Sequence, residues 1–369
     1  MPNAQRIVES ARLQGPPRRG VSIIAVSASL LAGSACGNAG PDDECTSNPS
    51  PAFTHMFADL SKVESIVPLG TPSTGGEIKE RHQVQLLAGQ TTPVIAPAQA
   101  RLELVRHFQA TSPPFPSNDD YYGVRLRISC EVYAHIDHIQ TAGERLRAAV
   151  SGYSSGFVEP ARSTVFAAGE VIGHTGGSTS GQPNMPRGYA FDYAVYNAKQ
   201  ENVFVNMARY RTSNELANSL HSVCGAAYYS GSLRSDFHNK LGYRGNTAAG
   251  NCRSASRDVA GAIAGGWFRV GAAEGSDGWR LGIATEVDGF IRMAIHPFGG
   301  GGFSPIRTTG SVNLDPALAT GTTPYCYTQV ATSEHWFQLS ANGLRMSMQQ
   351  QPGNCSGTAP ASYSVQWER

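Results

Sequence analysis

The chain has little charge for its length. Only 15% of its 369 residues are Asp, Glu, Lys or Arg, and the formal net charge is +1. Such a balanced charge gives no electrostatic footprint for nucleic acid, so no nucleic-acid partner is expected. The hydrophobic content of 40% is nevertheless too high for the whole chain to be disordered. A chain of this length is sufficient for two or more domains of ordinary size.

Several signatures of catalysis and metal binding are also missing. The sequence has no GxSxG nucleophile elbow, and no Gly-Lys-Ser/Thr follows the glycine run at residues 299–302, so that run is not a P-loop. No CxxC motif and no zinc-finger spacing of Cys and His is present. What the chain does contain is 41 Gly and 22 Pro, which favour a turn-rich β structure.

The first 36 residues are typical of an export signal. Four arginines precede an apolar stretch at residues 20–31 that is too short for a confident membrane span. The stretch ends in Leu-Ala-Gly-Ser-Ala-Cys36, which resembles a bacterial lipobox. That resemblance implies lipidation of Cys36 and a membrane anchor, facing the periplasm or the outer surface. Cleavage after Ala35 by an ordinary signal peptidase is the alternative, and either route exports the chain.

Cysteine usage agrees with export. The chain has seven Cys, and six are left if Cys36 carries lipid. An even set in an oxidising compartment predicts disulfides, although the sequence leaves many connectivities open. Pairing of near neighbours favours Cys224–Cys252 and Cys326–Cys355, with Cys45 and Cys130 left for each other.

Three regions follow the signal. Residues 37–62 are predicted to be a flexible tether because they are polar at their start and rich in Gly, Pro and Ser. Residues 63–210 alternate β-branched and aromatic residues with polar ones, which indicates half-buried strands, and a short helix is predicted at 144–150. Residues 211–369 begin with two predicted helices, near 216–223 and 233–241, and continue as a β meander or small barrel.

Large aromatic residues are frequent in the second of these folded regions. They could line a ligand surface for sugars or lipids, but such residues more often fill a core, which is the prediction here. The residues concerned are Trp267, Phe268, Trp279, Phe290, Trp336, Phe337 and Trp367.

Residues 77–197 carry a family resemblance. Segments 89–105 and 165–196 both have a strand, a turn and a strand, and segment 121–139 lies between them. Together they resemble the β-core of lysostaphin-type zinc endopeptidases, which cut peptidoglycan cross-links. The resemblance implies a β-sandwich of the barrel-sandwich hybrid kind over residues 63–210, followed by a second, β-rich α+β domain. Biotinyl and lipoyl carrier domains share part of this pattern, but they present a Lys at a hairpin tip, and no Lys lies between Lys79 and Lys199.

The family pattern also implies candidate site residues. Zinc peptidases use three protein ligands and a water whose pKa the metal lowers. His82 lies where the early His ligand is expected, but Leu86 stands at the position of the Asp four residues later. Asp192 falls on the second His of the late HxH motif, and Ala190 on the first. His135, in Tyr-Ala-His-Ile, matches the His that handles protons in the reaction and is the catalytic candidate.

Two ligands rarely hold zinc without a third. Zinc is therefore expected only if His82, Asp192 and His135 form a remodelled site, helped by His138 or His174; otherwise these residues are a structural relic. The leading hypothesis is an exported, lipid-anchored envelope protein whose peptidase-like domain is not catalytic and binds peptidoglycan or another wall ligand. Two alternatives stay open: a zinc-dependent peptidoglycan endopeptidase with remodelled ligands, and a ligand-binding lipoprotein that acts through its C-terminal β domain.

Overall fold

The computed structural model of the chain describes most of residues 45–369. The described residues are 45–73, 76, 78–109, 120–153, 156–160, 164–177, 190–213, 216–243, 246–247, 250, 252–272, 280–296, 300–305, 309–329 and 333–369. Cys36 and the rest of the expected export signal lie outside them. Among the described residues, no helix is both long and apolar enough to cross a membrane.

Twelve described strands build two antiparallel sheets in the first part of the chain. The large sheet has the order β1-β2-β11-β6-β5-β4-β8, with β12 paired to β11 and β9 paired to β4, and the small sheet has the order β3-β10-β7. The strands are β1 (Val63–Ile66), β2 (His82–Leu86), β3 (Thr92–Ile95), β4 (Ala100–Gln109), β5 (Asp120–Arg127), β6 (Val132–Ile139), β7 (Thr141–Ala142), β8 (Gly156–Val158), β9 (Val165–Phe166), β10 (Val171–Thr175), β11 (Ala190–Asn197) and β12 (Ser222–Val223).

The two sheets share one apolar core. Alternation along β6 is the clearest example, because Val132, Ala134 and Ile136 are fully buried there while the residues between them point to the other face. Val94 and Ile172 of the small sheet belong to the same core cluster. The sheets therefore pack face to face, and one face of the large sheet is left for polar side chains.

Residues 45–62 pack against this core. Phe53 and Phe57 are buried, and the ring of Phe57 stacks on Tyr193 with centroids 3.9 Å apart. Glu131 accepts a hydrogen bond from the backbone N–H of Asn48 at 2.8 Å. The prediction of a flexible tether over residues 37–62 is therefore wrong for 45–62. Burial of two phenylalanine side chains stabilises the packed segment by more free energy than the lost conformational entropy costs. Residues 37–44 lie outside the described residues.

The helices are short. They are α1 (Glu144–Ala149), α2 (Met207–Thr212), α3 (Ala217–His221) and α4 (Gly231–Lys240), with 3-10 helices at Leu60–Lys62 and Gly225–Tyr228. The helices predicted near 144–150, 216–223 and 233–241 are confirmed as α1, α3 and α4, although α3 is shorter than expected. Phe237 of α4 is fully buried in the core of the first two sheets. The chain beyond residue 210 thus contributes to the first core before it enters the next sheet.

The C-terminal part is an eight-stranded antiparallel sheet curved into a half-barrel. A two-stranded ribbon, β13 (Gly242–Tyr243) and β14 (Asn246–Thr247), precedes it. The eight-stranded sheet has the order β18-β17-β16-β15-β22-β21-β20-β19. These strands are β15 (Gly265–Arg269), β16 (Arg280–Thr285), β17 (Phe290–Ile295), β18 (Gly300–Pro305), β19 (Tyr325–Gln329), β20 (Ser333–Leu339), β21 (Arg345–Pro352) and β22 (Val365–Glu368). The expectation of a mostly β chain is confirmed.

Side chains fill the half-barrel. Trp267, Phe337 and Trp367 are among its fully or almost fully buried residues, and Phe268 and Trp336 are also buried. The prediction that the C-terminal aromatics form a core is confirmed for these five. Phe290 is 39% exposed, and Trp279 lies outside the described residues.

All three expected disulfides form. They join Cys45 to Cys130, Cys224 to Cys252 and Cys326 to Cys355, with Cα atoms 5.1, 5.8 and 5.7 Å apart. The first fastens residues 45–62 to the large sheet, and the third links β19 to the turn that follows β21.

Candidate functional site

The outward face of the large sheet, which we call the polar face, is the candidate site. Because side chains alternate along a strand, residues two apart on β5, β6 and β11 share this face. Cross-strand pairs join Arg125 to His135 and His135 to Ala194. The polar face consists of Lys79, Arg81, Arg125, Arg127, Tyr133, His135, Asp137, Asp192 and Tyr196.

His82 lies on the opposite face of the sheet. In the β2–β11 register, His82 is the partner of Tyr193, whereas Asp192 is the partner of Gln83. His82 is fully buried, its Nδ1 is 2.9 Å from the carbonyl oxygen of Val67, and burial lowers its pKa to about 4. The structure therefore does not bring His82 together with Asp192. The physical reason is that successive residues of a strand point to opposite faces, so His82 faces the core while its neighbour Gln83 shares the outer face with Asp192.

Asp192 is held by cations. Its carboxylate lies 3.3 Å from Arg81 Nε, 3.5 Å from Lys79 Nζ and 3.8 Å from His138 Nε2. Burial raises the pKa of Asp192, but the charges of Lys79 and Arg81 outweigh that effect and hold the pKa below its ordinary value. The carboxylate is thus ionised and already neutralised by these cations.

His135 shares the polar face with Asp192 but has a different partner. Its Nε2 is 3.9 Å from Asp137 Oδ2, too long for a hydrogen bond and short enough for attraction when the imidazole is protonated. Arg106 approaches the same carboxylate at 3.8 Å. Burial opposes ionisation of Asp137, but the nearby imidazoles of His135 and His138, together with the backbone N–H of His138, hold its pKa well below the usual range. Lys79 and Arg81 thus neutralise Asp192, and Arg106 approaches Asp137.

His138 connects the two acids. It has a positive φ of 64°, and its backbone N–H donates to Asp137 Oδ1 at 2.9 Å while its ring faces Asp192. A left-handed residue other than Gly or Asn is uncommon and is often found at functional positions. His174, the other suggested helper, is exposed on β10 of the small sheet and so lies away from the polar face.

The zinc ligands inferred from the family pattern do not converge. His82 faces the core, Asp192 is paired with cations, and Leu86 is a buried apolar residue. The geometry of these residues therefore does not fit a zinc ion. Among the described residues, two other groups have ligand-type atoms within 4.8 Å of one another: His82 with Cys224 and Cys252, and Glu334 with Cys326 and Cys355. All four cysteines are in disulfides, where sulfur is not the thiolate that metals bind.

Sequence reasoning missed Lys79, Arg81, Arg125 and Asp137. A signal for the orientation of Arg81 was present in the run Arg81-His-Gln-Val-Gln-Leu86, where His82, Val84 and Leu86 share the apolar side of an alternating strand. That pattern places His82 inward and leaves the residues on either side of it outward. The pairing of Arg81 with Asp192 on the neighbouring strand could not be read from this run, because the two residues are distant in the sequence.

Arg125 is the cation of the polar face without a carboxylate partner. Its guanidinium lies 5.0 Å from the ring of Tyr133, and among the described residues it makes no ion pair. Tyr133 in turn stacks on Tyr196 at 4.8 Å. A guanidinium supported by aromatic rings is suited to recognise an anionic group.

Comparison with protein-family models, curated proteins and solved structures gives no match for this chain.

Proposed function

We propose that this protein is an exported, lipid-anchored envelope protein whose first β domain has a lysostaphin-type fold and binds peptidoglycan or another wall ligand without cutting it. The observation that carries the proposal is the position of Arg81 beside Asp192. Where the resemblance leads one to expect a zinc-binding His, this chain has a carboxylate neutralised by cations. A hydrolytic metal centre needs at least three converging ligands, and the polar face does not supply them.

The arrangement of the resembling segments supports the fold part of the proposal. Strand β3, from segment 89–105, pairs with β10, from segment 165–196. Strand β6, from segment 121–139, pairs with β11 at the end of that same segment. The segments that carry the resemblance thus meet in two packed sheets, as a shared sandwich requires.

The charge of the polar face supports an anionic ligand. Three of its cations, Lys79, Arg81 and Arg127, pair with carboxylates, and Arg125 is left for a partner from outside the chain. The side chains of Arg106 and His138 at the rim are 43% and 34% exposed, so a ligand can reach the face. Carboxylate groups of wall peptides fit an arginine of this kind, which binds them through two parallel hydrogen bonds.

The three disulfides support export, because such bonds persist in oxidising compartments. The lipid anchor depends on Cys36 alone. Changing Cys36 to Ala should move the protein from the membrane fraction to the soluble fraction, and an unchanged distribution would leave export by an ordinary signal peptide.

Sedimentation with insoluble peptidoglycan tests the binding function. The wild-type protein should be retained, and Arg125→Gln should weaken retention about tenfold, since a charge-assisted contact is worth roughly 1.5 kcal/mol. Arg147→Gln is the matched control, because Arg147 is an exposed arginine on α1. No muropeptides should be released. Release that depends on zinc and on His135 would instead support the endopeptidase alternative, and equal retention of both variants would overturn the role of the polar face.

A further inference from the structure

The Cys224–Cys252 disulfide lies beside His82, on the side of the large sheet opposite the polar face. The Nε2 atom of His82 is 3.8 Å from Cys252 Sγ, and the ligand-type atoms of all three residues lie within 4.8 Å of one another. We propose that reduction of this disulfide converts the three residues into a zinc site. The proposal concerns a different set of residues from the polar face and is independent of the function proposed above.

His82 is oriented as a metal-binding histidine would be. Its Nδ1 donates to the carbonyl oxygen of Val67 at 2.9 Å, because a carbonyl can only accept. The proton is therefore on Nδ1, and the lone pair of Nε2 points towards the sulfur atoms. Metal-ligating histidines commonly have this second hydrogen bond, which fixes the tautomer and the direction of the ring. The rings of Phe237 and Tyr193, 5.5 and 6.5 Å away, keep the imidazole in place.

Each of the two cysteines has a backbone hydrogen bond in addition to the sulfur–sulfur bond. Cys224 directly follows β12, and its carbonyl accepts from Ala227 N at 3.1 Å. The carbonyl of Cys252 accepts from Leu69 N, also at 3.1 Å. With Cα atoms 5.8 Å apart, two thiols would stay next to His82 after reduction. Cys224 is only partly buried, so its side of the disulfide is the one from which a small reductant would reach the sulfur atoms.

The chemistry balances with a dithiol as the reductant. The dithiol gives two electrons and two protons, the sulfur–sulfur bond breaks to form two thiols, and the reductant becomes a cyclic disulfide. Zinc then displaces one proton from each thiol, so that two thiolates and one neutral imidazole surround the ion. Two Cys and one His with an open fourth position form one of the ligand sets that zinc uses.

The second cysteine group lacks this arrangement. Glu334 accepts hydrogen bonds from Trp336 Nε1 at 2.9 Å and Gln351 Nε2 at 2.6 Å, and also from the backbone N–H of Cys355. Its carboxylate therefore holds the local fold together and has little capacity left for a metal. The Cys326–Cys355 disulfide thus provides a matched control for reduction of Cys224–Cys252.

Titration with Co²⁺ tests the proposal, because thiolate ligation gives this ion a charge-transfer absorption. The full chain is reduced with a dithiol, freed of the reductant without oxygen, and titrated with Co²⁺ and then Zn²⁺. One equivalent should bind with a thiolate band that zinc removes, and the oxidised protein should show no band. The band should disappear in Cys224→Ser/Cys252→Ser and persist in Cys326→Ser/Cys355→Ser.

Alkylation of the reduced wild-type protein gives a readout that does not depend on variants. Zinc should slow the alkylation of Cys224 and Cys252 at least tenfold, as located by mass spectrometry, and leave Cys326 and Cys355 unaffected. His82→Phe, whose fold is checked by circular dichroism, should weaken the metal affinity at least tenfold. A reduced protein that keeps its circular dichroism spectrum but binds no metal would overturn the proposal. So would a thiolate band that survives the loss of Cys224 and Cys252.

Discussion

The guanidinium of Arg81, the residue immediately before β2, lies 3.3 Å from the carboxylate of Asp192 on the neighbouring strand β11. This ion pair occupies the place where the sequence pattern suggested a metal ligand. Both partners are poorly accessible, since the side chains are 27% and 7% exposed. Removal of one partner from such a pair costs more than the pair itself contributes, because the other charge is left buried.

Asp192→Ala should therefore destabilise the fold by about 2 kcal/mol, since it leaves Lys79 without its carboxylate and Arg81 with only Glu80, 3.8 Å away. Urea unfolding followed by circular dichroism measures the change. Asp236→Ala is the control, because Asp236 is an exposed acid on α4 and should change stability by less than about 0.5 kcal/mol. A chelator should not reproduce the loss of stability, whereas a metal site at Asp192 would make the wild-type protein sensitive to it.

The same ion pair has a pH dependence with a defined sign. The pKa of Asp192 is lower in the folded state than its ordinary value of 3.8. Its stabilising contribution is therefore fully present above the unfolded-state pKa, near pH 4, and is lost as the pH falls through the folded-state pKa. Between pH 5 and pH 2, Asp192→Asn should lose less stability than the wild-type protein does. Equal losses in the two proteins would show that Asp192 is not held in its ionised form.

His335 should make the half-barrel sensitive to acid in a higher pH range. It is 1% exposed on β20, and burial lowers its pKa from 6.5 to about 4. The unfolded chain therefore binds a proton between these values while the folded chain does not, and stability falls as the pH drops through this window. The fall from this residue is about 3 kcal/mol, since one pKa unit corresponds to about 1.4 kcal/mol.

His335→Phe should remove that part of the pH dependence. The buried Nδ1 has no hydrogen-bond partner among the described residues, so at pH 7 the variant should be at least nearly as stable as the wild-type protein. Unfolding free energies of both proteins at pH 7, 5.5 and 4.5 give the comparison. If stability fell equally with pH in the two proteins, His335 would take up its proton in the folded state as readily as in the unfolded state.

Local patterns predicted a large part of the fold. Strand alternation gave the β regions, spacing of apolar residues gave α3, and sequence proximity gave two of the disulfides correctly. These features depend on short-range order, which a single sequence carries. The burial of Phe53 and Phe57 was missed because the residues around them are polar and rich in Pro, which is typical of a linker. The residues against which the two rings pack are distant in the sequence.

The polar face was less accessible to prediction. The pairing of Asp192 with Arg81 depends on the register between β2 and β11, which are separated by more than a hundred residues. A family pattern placed His82 opposite Asp192, yet alternation of His82 with Val84 and Leu86 already indicated an inward ring. Where the family pattern and the local alternation disagreed, the alternation was the better guide to side-chain direction.

Phe57 should be important for stability although it precedes the first strand of the sheet. Its ring is fully buried against Tyr193, so Phe57→Ala should cost about 3–5 kcal/mol through lost burial and the cavity that is left. Phe157→Ala is the matched control, because Phe157 is 71% exposed on the edge strand β8 and should cost less than about 1 kcal/mol. Similar costs for the two variants would show that residues 45–62 are not part of the folded core.

Arg369 holds the half-barrel together from the end of β22. It is 9% exposed, its guanidinium lies 3.9 Å from the ring of Trp267, and its Nη1 donates to the carbonyls of Val259 and Ala262, at 3.1 Å in each case. Arg369→Leu keeps much of the side-chain volume but leaves the buried residue Ala262 without the guanidinium donor to its carbonyl, and the carbonyl of Val259 keeps only the backbone N–H of Ala262 as a donor. The loss of these hydrogen bonds should cost about 2–4 kcal/mol. Arg345→Leu, at an exposed position on β21, should change stability by less than about 0.5 kcal/mol in the same urea titration.

Because Val259 and Ala262 lie in the segment that leads into β15, hydrogen exchange should quicken first in residues 259–269 of Arg369→Leu. Faster exchange confined to β22 would instead mean that Arg369 only fastens its own strand.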